Sequence, residues 1–193
     1  MKIVTILEYD AMPFCLYSSE SILTAKQIKQ DMIYLTMSKI WSKMSVCKRA
    51  QVGALLVKNN TIISDGFNGT PSGMNNCCED ENDNTYWYVM HAESNLITKL
   101  GKSSISGEGG TMYVTLSPCR DCSKLILQSG ISRIVFMESY RILDGITFLK
   151  DNIDITHYFK MDPIIDFDPL KLKTLSHHLI SDLENLIQNN TNN

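Results

Sequence analysis

HAESNLITKLG (residues 91–101) and, a short way downstream, TMYVTLSPCRDC (residues 111–122) decide the fold of this chain. The first opens a helical pattern at His91 that runs through Leu100 and is stopped by Gly101. The second reads as a strand over residues 111–116. It is followed from Cys119 by a helix that Gly130 closes, and by a further strand over residues 133–137. Helix, strand, helix, strand in close succession calls for parallel strands joined by crossovers, with helices covering both faces of the sheet.

Working outward, residues 25–43 are roughly helical, with Ile28, Met32, Leu35 and Ile40 as the apolar positions. Residues 52–57 and 62–67 are short β-type runs separated by Lys58, Asn59, Asn60 and Thr61, a pattern suited to a tight hairpin. Residues 68–85 have turn composition, and a loop of that length inside a compact domain is usually functional or disordered. Downstream, 142–150 is weakly helical, 153–159 alternates like a strand and 170–187 carries an amphipathic helical pattern. The expected organisation is an N-terminal extension over 1–25 of unassigned role, one α/β domain over 26–187 and a polar tail over 188–193.

The chain has 193 residues, of which 44% are hydrophobic and 20% charged, and a formal net charge of −3. That composition is globular. The absence of a basic excess speaks against a protein that lives on nucleic acid and favours a small-molecule partner. No signal peptide or membrane span is recognisable, so a cytoplasmic protein is expected. In such a reducing compartment the six cysteines are not expected to pair as disulfides. Cys15 and Cys47 are then read as packing residues, and Cys77 with Cys78 as a loop thiol pair.

His91, Cys119 and Cys122 form the chemistry-bearing constellation. One imidazole and two thiolates suit zinc, and three protein ligands leave the fourth tetrahedral position for water, as in catalytic sites. Two residues between the cysteines put both sulfurs on one helical turn. Glu93, two residues beyond His91, can enter the same pocket without binding metal and serve as the proton shuttle. His-x-Glu alone or Cys-x-x-Cys alone would say little, but the combination with Pro118 before the first cysteine is the pattern of zinc deaminases acting on nucleobases.

The flanking words extend the likeness. Cys47-Lys48-Arg49-Ala50-Gln51-Val52-Gly53, Gly66-Phe67-Asn68-Gly69-Thr70-Pro71-Ser72-Gly73 and Tyr113-Val114-Thr115-Leu116-Ser117-Pro118-Cys119 stand in this order. With them, residues 30–160 resemble the deoxycytidylate deaminase family, phage-type members most of all. Phe67, where the family commonly has Tyr, and the N-terminal extension depart from the pattern. The resemblance implies a cytidine-deaminase-like three-layer α/β/α sandwich around a five-stranded mixed sheet. It also implies hydrolysis of dCMP to dUMP and ammonia, feeding thymidylate synthesis.

By the same resemblance Asn68 would hold the sugar, the backbone at Ser117 would receive the exocyclic amine, and Tyr140, Arg141 and Arg49 would lie near sugar and phosphate. Control by dCTP as activator and dTTP as inhibitor is implied, with Mg2+ accompanying a triphosphate. The small residues and exposed backbone amides of residues 66–73 could cradle phosphates at a surface separate from the zinc, which would put Asn68 and Gly69 at the effector as well as, or instead of, the substrate. A homo-hexamer is implied too, in the host cytoplasm if the chain is phage-encoded. Plain alternatives stay open at this level. Asn68 beside Gly69 could be a turn residue, and Arg49, Tyr140 and Arg141 could be solvent-facing. Activity on dCTP or tRNA, or a silent nucleotide-binding protein, would use the same apparatus. Some phage relatives hold a second zinc with a loop cysteine and nearby histidines, but the loop before His91 has no histidine.

Overall fold

A computed structural model describes residues 15–18 and 23–159. Its elements in chain order are β1 (Cys15–Ser18), α1 (Ala25–Ser42), β2 (Gly53–Lys58), β3 (Thr61–Phe67), α2 (Ala92–Leu100), β4 (Thr111–Leu116), α3 (Arg120–Gln128), β5 (Arg133–Glu138), α4 (Asp144–Leu149) and β6 (Asp154–Phe159). They build one mixed sheet in the order β1-β6-β5-β4-β2-β3. β4, β5 and β6 run parallel, while β2 pairs antiparallel with β3 and β4. Five strands match the expected sheet. The sixth, β1, comes from the segment read as an extension and adds antiparallel to β6. The helical pattern over 170–187 and the polar tail fall outside the described residues, as does the side chain of Cys15.

The alternation of β4 and β5 sorts their side chains onto two cores. Met112, Val114, Ile134 and Phe136 pack with Leu96 of α2 and Ile126 of α3 on one face. Tyr113, Val135 and Met137 pack with Ile28, Met32 and Leu35 of α1 on the other. Ile40, expected to continue the α1 stripe, is 57% exposed instead. Five residues beyond Leu35 it has rotated about 140° off the buried line. Ser38 and Ser42 take the inward positions, where a Cβ on Gly53 would strike the backbone of Ser42. Small residues on both sides let the helix lie close on β2.

A polar network lies under α1. Asp31 accepts from Arg133 at 2.8 and 2.7 Å, from the Tyr113 hydroxyl at 2.9 Å and from the Tyr158 hydroxyl at 3.1 Å. It is fully buried, and a charge in that position is tolerable because it is paired and hydrogen-bonded. The β2–β3 reversal is of the hairpin type expected: Asn59 and Asn60 have φ of 52° and 59°, the left-handed pair that matches strand twist.

One reading is corrected. Cys47 and Cys78 form a disulfide, so Cys47 is not merely a packing residue and Cys78 does not pair with Cys77 as a free thiol. The loop after β3 folds back beneath the α1–β2 connection and brings their Cα atoms to 5.2 Å, within disulfide reach. Compartment rules speak to how often such bonds occur and not to which thiols a fold brings together.

Candidate metal centre and active site

The site forms at the carboxyl end of the parallel strands, where α2 and α3 both begin. His91 is the N-cap of α2 (φ −73°, ψ 158°) and Cys119 the N-cap of α3 (φ −73°, ψ 174°), and neither uses its side chain to cap its helix. The imidazole and the thiol are thereby left for other work. Gly66 sets how near α2 comes to β3, since a Cβ there would run into the Ala92 carbonyl and approach Leu96 N at 2.7 Å. Asn95 Nδ2 donates to the Phe67 carbonyl at 2.8 Å and ties the same helix down.

His91 Nδ1 lies 3.4 Å from Cys119 Sγ and 3.4 Å from Cys122 Sγ. A tetrahedral zinc with Zn–S near 2.3 Å and Zn–N near 2.0–2.1 Å puts nitrogen and sulfur about 3.6 Å apart, so the three donors fit this metal. Among the described residues they are the single group of three His, Cys, Asp or Glu donors close enough to hold an ion. Cys47, Cys77 and Cys78 belong to no such group.

Proton affinities in the triad point the same way. The Cys119 thiol is pulled far below its ordinary range by the Cys122 thiol that donates to it, and further by His91, against the effect of burial. Cys122 is pushed up as that donor and by burial. His91 is raised by its hydrogen bond to Cys119, burial opposing. Two sulfurs thus share a proton that a cation would replace, and the two helix N-termini favour thiolates there. Glu93, only 3% exposed in the first turn of α2, has its carboxyl raised chiefly by burial. A buried carboxyl so raised is suited to take up and pass on a proton.

Glu93, His91 and Cys119 line a cleft of about 470 Å³. Asn68, Ser117, Tyr140, Arg141 and Arg49 all line it, so every residue expected at the substrate is brought to one cavity. Ser117 is buried, and its hydroxyl accepts from the Tyr140 amide at 2.7 Å. The Arg141 guanidinium lies 5.7 Å from the Tyr140 ring centroid. Asn68 is held hard: its Oδ1 accepts from Val52 N at 2.8 Å and its Nδ2 donates to the Ala50 carbonyl at 2.8 Å.

Asn68 N–H donates to the Val52 carbonyl at 3.1 Å and Gly69 N–H to the Met90 carbonyl at 3.1 Å, so neither amide is available to a phosphate. Asn68 also lies in the zinc cleft and not on a separate surface.

Residues 28–138 match the model of the cytidine and deoxycytidylate deaminase zinc-binding region, more than half of the chain. The chain belongs to this deaminase family. Deoxycytidylate deaminase of Enterobacteria phage T4 is 34% identical over 147 residues, covering 55% of this chain and 76% of that protein. The Homo sapiens deoxycytidylate deaminase is 34% identical over 153 residues, covering 71% and 85%. Among solved structures, dCMP deaminase from cyanophage S-TIM5 in complex with dCMP and dUMP is 43% identical with a TM-score of 0.64, covering 65% of this chain and 93% of that one. The fold is accordingly the cytidine-deaminase sandwich, and the metal implied by the His/Cys/Cys set is zinc.

Sequence reading of this deaminase missed Glu79, Thr85 and Ser94. Ser94 Oγ lies 3.5 Å from Cys122 Sγ and braces a metal ligand. Its place one residue after Glu93 was a usable signal. Glu79 and Thr85 sit in the long loop among many acidic and polar neighbours, and nothing local distinguishes them.

Proposed function

We propose that this protein hydrolyses dCMP to dUMP and ammonia. The observation that carries the reading is the buried Glu93 carboxyl beside the His91, Cys119 and Cys122 donors, in a cleft that two arginines also line. A purely structural zinc would have no use for a buried acid. Zinc held by these residues supplies a hydroxide nucleophile at neutral pH.

Glu93 takes a proton from the attacking water and delivers it to N3 of the cytosine, then takes the second proton from the hydroxyl now on C4 and passes it to the departing amine, which leaves as ammonia while the C4 carbonyl forms. Ser117 offers its backbone carbonyl to the exocyclic amine, which selects an amino-bearing base. Tyr140 flanks the sugar, Asn68 walls it, and Arg141 with Arg49 meets the 5′-phosphate. The cyanophage relative solved with dCMP and dUMP supports the substrate assignment.

Further parts of the reading rest on the family alone: activation by dCTP, inhibition by dTTP, Mg2+ with the triphosphate, a homo-hexamer, and a cytoplasmic place before thymidylate synthesis. No described helix is long and apolar enough to cross a membrane. The deciding assay follows ammonia release from cytidine, deoxycytidine and their mono- and triphosphates. Preference for dCMP supports the reading, whereas preference for the free nucleosides or for dCTP overturns it.

A further inference from the structure

Glu79 is 6% exposed, and among the described residues no cationic side chain forms a salt bridge with it. Its Oε1 instead accepts from two successive backbone amides, Lys48 N at 3.0 Å and Arg49 N at 3.3 Å. A buried carboxylate is costly unless its charge is satisfied, so these two bonds fix where the 48–49 backbone must lie. Glu79 also pairs with Thr85 across an isolated antiparallel bridge, and Thr85 Oγ1 accepts from Arg49 Nη1 at 3.3 Å. Arg49 is therefore held at both ends by one small hairpin, its backbone by Glu79 and its guanidinium by Thr85. One residue upstream on both segments, the Cys47–Cys78 disulfide makes the same connection covalently.

We infer that Glu79 is a positioning residue for the substrate's phosphate: it presets Arg49 at the wall of the cleft, and so contributes to nucleotide over nucleoside preference without touching the substrate. This rests on the reading that Arg49 meets the 5′-phosphate. A carboxylate near an anion site would ordinarily repel the ligand. Here Glu79 is turned onto backbone N–H groups, which absorb its charge. Presetting matters because an exposed arginine must otherwise give up rotamer freedom at the moment of binding.

The test measures kcat and KM of the zinc-loaded protein with dCMP and with deoxycytidine for Arg49→Ala, Glu79→Ala, Glu79→Gln and the Arg49→Ala/Glu79→Ala double variant. Glu79→Ala is expected to raise KM for dCMP about tenfold and to lower the dCMP-over-deoxycytidine ratio of kcat/KM by the same factor. Glu79→Gln, whose amide oxygen can accept the same two bonds, should recover most of the loss. The double variant should be no worse than Arg49→Ala, because the two residues act through one contact. Calorimetric binding of dUMP against deoxyuridine reads the same contrast without turnover. Where Glu79→Ala does not fold, Glu79→Asp, a methylene shorter, carries the expectation at smaller size.

Equal losses for nucleotide and nucleoside in Glu79→Ala, or additive losses in the double variant, overturn the inference. An unaltered preference in Arg49→Ala sinks the reading of Arg49 itself. A collapsed preference there beside an unaltered one in Glu79→Ala sinks only the part given to Glu79.

Discussion

The Cys122 thiol donates to Cys119, which holds the Cys119 proton affinity down and pushes that of Cys122 up, and a metal would take both sulfurs as thiolates. Cys119→Ala should therefore lose zinc and thermal stability together, read by metal analysis and a melting curve on the same sample. Retained zinc at one equivalent would show that Cys119 is not a ligand. His157 makes a separate prediction. Burial lowers its pKa, with a partial offset from its hydrogen bond to the Met137 carbonyl, and its ring stacks on Phe136 at 4.3 Å. A depressed folded pKa means stability that is complete above the unfolded value of about 6.5 and is lost as pH falls through the folded one. Denaturant unfolding of wild type between pH 7.5 and 5.5 should show that loss, and His157→Gln should show less of it; parallel curves would clear His157. At this scale the metal ligands and Glu93 were legible because their spacing is local. Glu79 was not, since its partners lie some thirty residues away in sequence, nor was the engagement of the Asn68 and Gly69 amides, which Val52 and Met90 accept from outside the motif.

Among the elements, α1 is held by a buried charged contact as well as by its apolar face. Asp31 joins it to β4, β5 and β6 through Tyr113, Arg133 and Tyr158. Asp31→Ala leaves Arg133 buried without its carboxylate and should cost about 3–5 kcal/mol, measured by urea unfolding. A loss below about 1 kcal/mol would mean that water or a neighbour replaces the carboxylate. The periodicity of 25–43 announced the helix, but it put Ile40 inward because it counted apolar residues and overlooked that Ser38, Ser42 and Gly53 make the closest approach. The hairpin was easier. Two adjacent asparagines tolerate left-handed backbone better than most residues, and the chain turns there. β1 could not be read, because four residues pairing on a sheet edge leave no periodic trace.

At the level of the whole molecule, the two-faced sheet and its helix-terminal metal site were foreseeable from alternation plus motif. The tie between the α1–β2 connection and the long loop was not, because a disulfide joins positions that the chain order keeps apart. If dCTP activates and dTTP inhibits, each must bind two states unequally, and a coupling of about 1–3 kcal/mol shifts apparent substrate affinity roughly 5- to 150-fold. A sigmoidal dCMP curve should become hyperbolic with dCTP, and sedimentation should show a hexamer. A hyperbolic curve that neither triphosphate alters would mean that this control is missing.

The central claim is that Glu93 and a zinc held by His91, Cys119 and Cys122 deaminate dCMP. It is tested most directly by ammonia release from dCMP for wild type and Glu93→Gln at matched zinc content. Wild type should turn over, and the variant, holding one equivalent of zinc and the same fold, should be slower by at least about 100-fold. Near-normal turnover by Glu93→Gln, or no turnover by zinc-loaded wild type, would contradict the account.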